Sequence, residues 1–152
     1  MSVAEKLNEL GLTIPQIAAP VASYLPAVIS GNLVFTAGQL PFVDGKMAVT
    51  GKVGAEVTAE VANGLARTAV LNALAAVESQ IGSLDRVTRI VKLVVFVASD
   101  PSFAGQPGVA NGASDTLVEI FGDIGKHARS AVGVAVLPLD AAVELELVVE
   151  FK

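Results

Sequence analysis

The sequence predicts an α+β fold in which two main helices pack on one face of a mixed β-sheet. The chain of 152 residues is 53% hydrophobic and 16% charged, so it can bury a sizeable core and is not disordered. Two segments, Val57–Ile81 and Val109–Phe121, carry apolar residues at helical spacing. Segments typical of strands lie both before and after them, and this order favours helices layered on one face of a sheet.

The N-terminal part is predicted to hold a short helix and an irregular segment. Ser2 and Glu5 have the spacing of a capping box, which predicts a helix over Val3–Leu10. Three prolines then predict an extended lead-in over Thr13–Pro26. We expect one domain over the whole length of the chain (1–152), with residues 1–20 as an N-terminal helical extension.

The remaining elements are predicted from alternation and turn signals. Asp44-Gly45 is a strong hairpin signal and predicts strand structure over Phe42–Val49. Alternating or continuous apolar runs predict five further strands: Ala27–Ile29, Leu33–Ala37, Arg86–Ala98, Arg129–Leu137 and Val143–Phe151.

Composition excludes several classes of function. The formal net charge of −5 makes nucleic acid an unexpected partner, and the absence of cysteine excludes disulfides and thiolate sites. No apolar run reaches the length of a membrane span, and the N-terminus lacks a signal-peptide layout. We therefore expect a cytoplasmic protein with no metal, cofactor, membrane or nucleic-acid partner.

The single histidine, His127, does not predict a catalytic triad. Ser130 is near it in sequence, but no aspartate has the spacing to orient the ring. A histidine in a loop before a strand is more often solvated or capping.

Two acidic residues and one arginine are the stronger candidates for chemistry. Glu144 and Glu146 are two apart in a predicted strand, so they share a face; that face is solvent, a subunit interface or a site. Arg129 begins the preceding strand and offers a fork for a carboxylate or phosphate. If the two strands are adjacent, Arg129 and Glu144 can meet, either as a structural pair or as part of an anion pocket.

Three motifs in order resemble the YjgF/RidA family, also called endoribonuclease L-PSP. The first is GNLVFTAGQLP at residues 31–41, and the second is VVFV at 94–97 with Asp100. The third is RSAVGVA at 129–135 with LP at 137–138 and VELE at 143–146. The resemblance runs from about Tyr24 to the C-terminus. The N-terminal helix resembles an addition found in a longer subgroup of that family.

The resemblance implies a chorismate-mutase-like fold assembled as a homotrimer with pockets between subunits. It also implies hydrolysis of 2-imino or 2-enamino acids to 2-keto acids and ammonia, without metal or cofactor. Arg129 would hold the substrate carboxylate and Glu144 would position or activate water. The substrate-binding positions implied by the family are Tyr24, Gly38, Asn111 and Ala131.

The sequence departs from the family pattern around this pocket. The departures are Leu25, Pro26, Ala37, Ala131 and Gly133, which replace polar, thiol or acidic family residues. Two other functions therefore stay open: a non-enzymatic binder of small carboxylate metabolites, and a chaperone-like interaction protein. The acidic charge argues against ribonuclease activity.

Overall fold

A computed structural model describes residues 1–17 and 23–152 and confirms the predicted α+β fold. The described residues form three helices and a five-stranded mixed sheet. The helices are α1 (Val3–Leu10), α2 (Ala59–Ile81) and α3 (Gln106–Phe121). The strands are β1 (Ala27–Ser30), β2 (Leu33–Thr36), β3 (Val87–Ala98), β4 (Ala128–Val134) and β5 (Val143–Phe151).

The order of strands in the sheet is β1-β2-β5-β3-β4. Only β3 and β4 run parallel, and the other neighbours are antiparallel. The predicted alternation in β5 is confirmed, because Val143, Leu145, Leu147 and Val149 are all buried. These side chains face the helices, so the sheet has one covered face and one open face.

Small residues allow α2 and α3 to pack closely over the covered face. The buried side of α2 consists largely of alanines. A Cβ at Gly112 of α3 would overlap the backbone oxygen of Asn63 in α2. The Asn63 amide also donates to Gly108 O at 2.9 Å. The glycine is thus required by the close approach, which fixes how α3 lies over the sheet.

The capping box at Ser2 is confirmed, and it begins α1 as predicted. Leu7 is buried in the core, and Val3 N donates to Asp85 Oδ1 at 2.7 Å. The predicted lead-in over Thr13–Pro26 contains no helix or strand where it is described. Residues 18–22 of that segment lie outside the described residues.

Several predicted elements or bounds are corrected. Helix α2 begins at Ala59 rather than Val57, because Thr58 is its N-cap. Phe42–Val49 is not a strand: a single bridge joins Val43 and Lys46 around the Asp44-Gly45 turn, whose φ angles are 50° and 75°. Helix α3 begins three residues earlier than predicted, because Pro107 is tolerated in a first helical turn. Strand β4 ends at Val134, before Leu137. No helix in the described part of the chain is long and apolar enough to cross a membrane.

Candidate active site

Arg129 is held at the edge of the sheet by helix α3. Its side chain is half-buried on the covered face, next to its strand partner Leu93. Arg129 Nη1 donates to Asn111 Oδ1 at 2.8 Å and to Ser114 Oγ at 3.1 Å. Asn111 and Ser114 are three apart in α3 and therefore lie on one side of the helix. The structure thus brings together two of the residues predicted from the family, Arg129 and Asn111.

The rest of the Arg129 guanidinium has no partner among the described residues. Both hydrogens of Nη1 are used by α3, and Nη2 and Nε make no hydrogen bond or ion pair within residues 1–17 and 23–152. These two nitrogens form one edge of the planar fork, the geometry that pairs with a carboxylate through two parallel bonds. The arrangement is suited to bind a planar anion.

His127 was expected to be a solvated or capping residue, and the structure supports capping: its ring contacts the last carbonyl of the 3₁₀ helix Gly122–Gly125. Its ring is half-buried: Nδ1 lies 2.6 Å from Gly125 O and Nε2 lies 2.9 Å from Ser114 Oγ. Hydrogen bonds through Ser114 link His127 to Arg129. The sequence analysis did not identify Ser114 as a site residue. Two signals were present: His127 and Arg129 are two apart, and Ser114 follows Asn111 at helical spacing.

The second predicted catalytic residue, Glu144, lies against Gly38. The pairing of β2 with β5 resumes at Gln39–Leu145 with one extra residue on the β2 side, and such a bulge redirects the chain locally. A Cβ at Gly38 would overlap Glu144 Oε1, so glycine is needed for this approach. The family-derived pair Gly38 and Glu144 is therefore in contact.

The surroundings of the Glu144 carboxylate favour its protonated form. It makes no ion pair or hydrogen bond with any other described residue. Partial burial raises the pKa of Glu144, and the neighbouring Glu146 carboxylate raises it further. Such a group has a stronger tendency to accept a proton than an ordinary surface glutamate.

Arg129 and Glu144 do not meet within one protomer, contrary to the idea that their strands are adjacent. Strand β3 lies between β4 and β5, with Arg129 beside Leu93 and Glu144 beside Phe96. Strand spacing places their Cα atoms roughly 14 Å apart. Because Leu93 and Phe96 are three apart in one strand, the two side chains also lie on opposite faces.

The other predicted site residues have different surroundings. Tyr24 is 64% exposed and lies two residues before Pro26, whose carbonyl accepts from Ala37 N at 2.8 Å; it is thus near the Gly38 end of the sheet. Ala131 shares the covered face with Arg129 and packs against the core.

Gly133, a departure from the family pattern, also has a structural role. A Cβ there would lie 2.8 Å from Gln106 Nε2, and this amide donates to Ser99 Oγ at 3.2 Å. The side chain of Gln106 therefore occupies the space beside Gly133. No group of three or more metal-ligating side chains occurs among the residues with described positions.

Comparison with known proteins identifies the family and the fold. Residues 4–151 match the family model described as "YjgF/chorismate_mutase-like, putative endoribonuclease". Protein TCP17 of Trypanosoma cruzi is 46% identical over 99% of this chain and 94% of its own. The crystal structure of Atu1372 from Agrobacterium tumefaciens has a TM-score of 0.93 and 44% identity, covering 99% of this chain and 92% of that one.

A third relative carries a named activity. A 2-iminobutanoate/2-iminopropanoate deaminase of Dermatophagoides farinae is 32% identical over 91% of this chain and 93% of its own. The family model spans nearly the whole chain, and the mixed sheet with helices on one face is the fold that the sequence resemblance implied. The chain therefore belongs to the YjgF/RidA family.

Proposed function

We propose that the protein hydrolyses 2-imino or 2-enamino acids to 2-keto acids and ammonia in a pocket between subunits of a homotrimer. One observation carries this proposal. Helix α3 holds Arg129 through Nη1 alone, and the edge formed by Nε and Nη2 has no partner in the described chain. A 2-imino acid has a planar carboxylate next to its reacting carbon, and this carboxylate matches the open edge of the arginine.

A relative supports the substrate class. The Dermatophagoides farinae protein named as a 2-iminobutanoate/2-iminopropanoate deaminase covers almost the same length as this chain. Both of its named substrates are small carboxylates with an adjacent C=N group. Arg129 would orient such a substrate, and orientation of this kind lowers the barrier by removing translational and rotational freedom in advance.

The positions of Arg129 and Glu144 support a pocket shared by two subunits. The carboxylate and imine carbons of the substrate are directly bonded, whereas the two side chains lie on opposite faces of one sheet. Both can act on one small molecule only if Glu144 comes from a neighbouring copy. The open face also leaves Val28, Phe35 and Val132 exposed, which favours contact with another subunit.

The reaction needs water addition and loss of ammonia. Glu144 would accept a proton from water as the water oxygen bonds to the imine carbon, and it would return this proton to the imine nitrogen as the C=N bond becomes single. The hydroxyl group of the resulting carbinolamine would then pass its proton through Glu144 to the nitrogen. The C–N bond breaks as the carbon–oxygen bond becomes double, which releases ammonia and leaves the keto acid. The raised pKa of Glu144 suits this exchange of protons.

The test is release of ammonia from freshly generated 2-iminopropanoate above the spontaneous rate. Arg129→Lys should raise KM at least about tenfold while the fold persists, because lysine offers a point charge without a fork. Glu144→Gln should lower kcat by about 10²-fold. Arg89→Lys, at an exposed arginine of β3, is the matched control and should change neither. Unchanged kinetics in Arg129→Lys would disprove the proposal.

A non-enzymatic carboxylate binder is the second candidate. Ala131 and Gly133 favour it, because neither residue contributes a polar side chain to the face of β4 that carries Arg129. Binding of pyruvate without ammonia release above the spontaneous rate would support this candidate. A chaperone-like role would instead require binding of unfolded protein that is independent of Arg129.

A further inference from the structure

We propose that His127 and Ser114 are positioning residues for Arg129: the imidazole orients the Ser114 hydroxyl so that its oxygen accepts from Arg129 Nη1. This inference rests on the proposed function, in which Arg129 binds the substrate carboxylate. It extends that function because it explains how the Arg129 guanidinium is oriented before a substrate binds. The four groups form one chain of contacts from Gly125 O to the guanidinium.

The direction of each hydrogen bond follows from chemistry. Gly125 O can only accept, so His127 Nδ1 must carry a hydrogen and donate at 2.6 Å. In the neutral ring Nε2 is then an acceptor, and the Ser114 hydroxyl donates to it at 2.9 Å. With its hydrogen committed, Ser114 Oγ presents a lone pair to Arg129 Nη1 at 3.1 Å.

Packing makes this chain of contacts rigid. A Cβ at Gly125 would overlap the backbone oxygen of Leu117 in α3, so the loop carrying the accepting carbonyl lies directly against the helix. Asn111, on the same helix, takes the second hydrogen of Arg129 Nη1 at 2.8 Å. Two acceptors on one nitrogen fix the plane of the guanidinium. The edge formed by Nε and Nη2 therefore has a fixed orientation.

The same geometry argues against a nucleophilic serine. Ser114 and His127 are within the distance of a nucleophile and its base. However, Ser114 Oγ also accepts a hydrogen bond from Arg129 Nη1, so the lone pair that would attack a substrate is already engaged. Covalent labelling of Ser114 by a fluorophosphonate would overturn the positioning role.

The first test reads the tautomer of His127 directly. Because the chain has a single histidine, a tag-free sample gives one set of imidazole signals in a long-range ¹H–¹⁵N spectrum. At pH 8 we expect a hydrogen on Nδ1 and none on Nε2. A ring with its hydrogen on Nε2 would contradict the assigned direction and overturn the inference.

The second test is a double-mutant cycle with pyruvate as the probe. Ser114→Ala and His127→Phe should each raise the dissociation constant of pyruvate about tenfold. The double variant should bind no more weakly than Ser114→Ala, because His127 acts through the hydroxyl. Ser114→Thr keeps a hydroxyl and should restore most of the affinity. Unchanged affinities, or losses that multiply, would overturn the inference.

Controls separate positioning from folding and from the proposed function. Ser79→Ala removes an exposed helical hydroxyl in α2 that donates to Ala76 O, and it should leave pyruvate binding unchanged. If Arg129→Lys also leaves binding unchanged, or if the wild type binds no pyruvate, the proposed function fails instead.

If the pyruvate assay fails in this way, ¹⁵N relaxation of Arg129 Nε in the ligand-free protein decides whether His127 and Ser114 position Arg129. We expect Nε to be ordered in the wild type and mobile in Ser114→Ala. Equal mobility in the two proteins would overturn the positioning role.

Discussion

The two faces of the sheet differ in what the chain itself supplies. On the covered face, α2 and α3 bury the side chains of β3 and β5, and α3 holds Arg129 at two points. On the open face, Glu144 has no ion-pair or hydrogen-bond partner among the described residues, and Val132 is 44% exposed. One half of the candidate site is therefore held by polar contacts within the protomer, whereas the carboxylate of the other half has no polar partner among the described residues.

This difference suggests how the two halves depend on their surroundings. The orientation of Arg129 depends on the packing of α3 and should persist in an isolated protomer. The environment of Glu144 depends on what covers the open face. Substitutions on the covered face should therefore change protomer stability, and substitutions on the open face should change assembly or proton binding.

The largest effect is expected where α3 crosses α2. Gly112→Ala places a methyl group on the backbone oxygen of Asn63, and the helices must separate. We expect the free energy of unfolding to fall by about 2–3 kcal/mol, measured by urea denaturation. Gly108→Ala in the same helix meets no neighbouring atom and should be neutral or stabilise by up to about 0.5 kcal/mol. Equal effects of the two would contradict the close-packing argument.

An intermediate effect is expected on assembly. Val132→Glu puts a charge on the open face, close to the strand position of Glu144. If the proposed trimer forms through this face, the substitution should shift the particle mass from that of a trimer toward 15.5 kDa in light scattering. The matched control is Val61→Glu on α2, where the valine is 43% exposed; it should leave the mass unchanged. A trimer that tolerates Val132→Glu would argue against an interface on the open face.

The smallest effect concerns the pH dependence of stability. Burial raises the pKa of Glu144 above its ordinary value of 4.5, so the folded state disfavours the charged form. This cost to stability is absent at low pH, where Glu144 is protonated in both the folded and the unfolded state. It is fully present at pH values above the pKa that Glu144 has in the folded state. Glu144→Gln should therefore raise the melting temperature slightly at pH 7.

The gain should disappear as the pH falls below about 4. Thermal melts across this range provide the check, with Glu60→Gln as the control at an exposed helical glutamate. A gain that persists at pH 3 would point to a cause other than ionisation of Glu144.

Much of the fold could be predicted because its signals are local. The capping box at Ser2, the helical periodicity within Val57–Ile81 and the alternation of β5 each depend on a few consecutive residues. All three are confirmed, although α2 itself begins at Ala59. The Asp44-Gly45 turn was also a local signal, but the strands expected around it are reduced to one bridge. A turn can form without a partner strand to extend it.

The candidate site could be predicted only in part. The motifs pointed to Arg129 and Glu144, and their types of side chain already indicated a carboxylate fork and a base. The role of His127 could be inferred only in part: its two-residue spacing from Arg129 was visible, but its partner Ser114 is 13 residues away on another element. Separation in sequence carries no information on such a contact.

The sequence by itself determined which side chains share a face: Glu144 with Glu146, and the buried row of β5 opposite them. This follows from the two-residue period of a strand. Only the tertiary structure decided which strands are neighbours, and it placed β3 between β4 and β5. Strand order depends on pairing between segments distant in sequence, which no local pattern encodes. For that reason Arg129 and Glu144 lie on separate faces of one protomer.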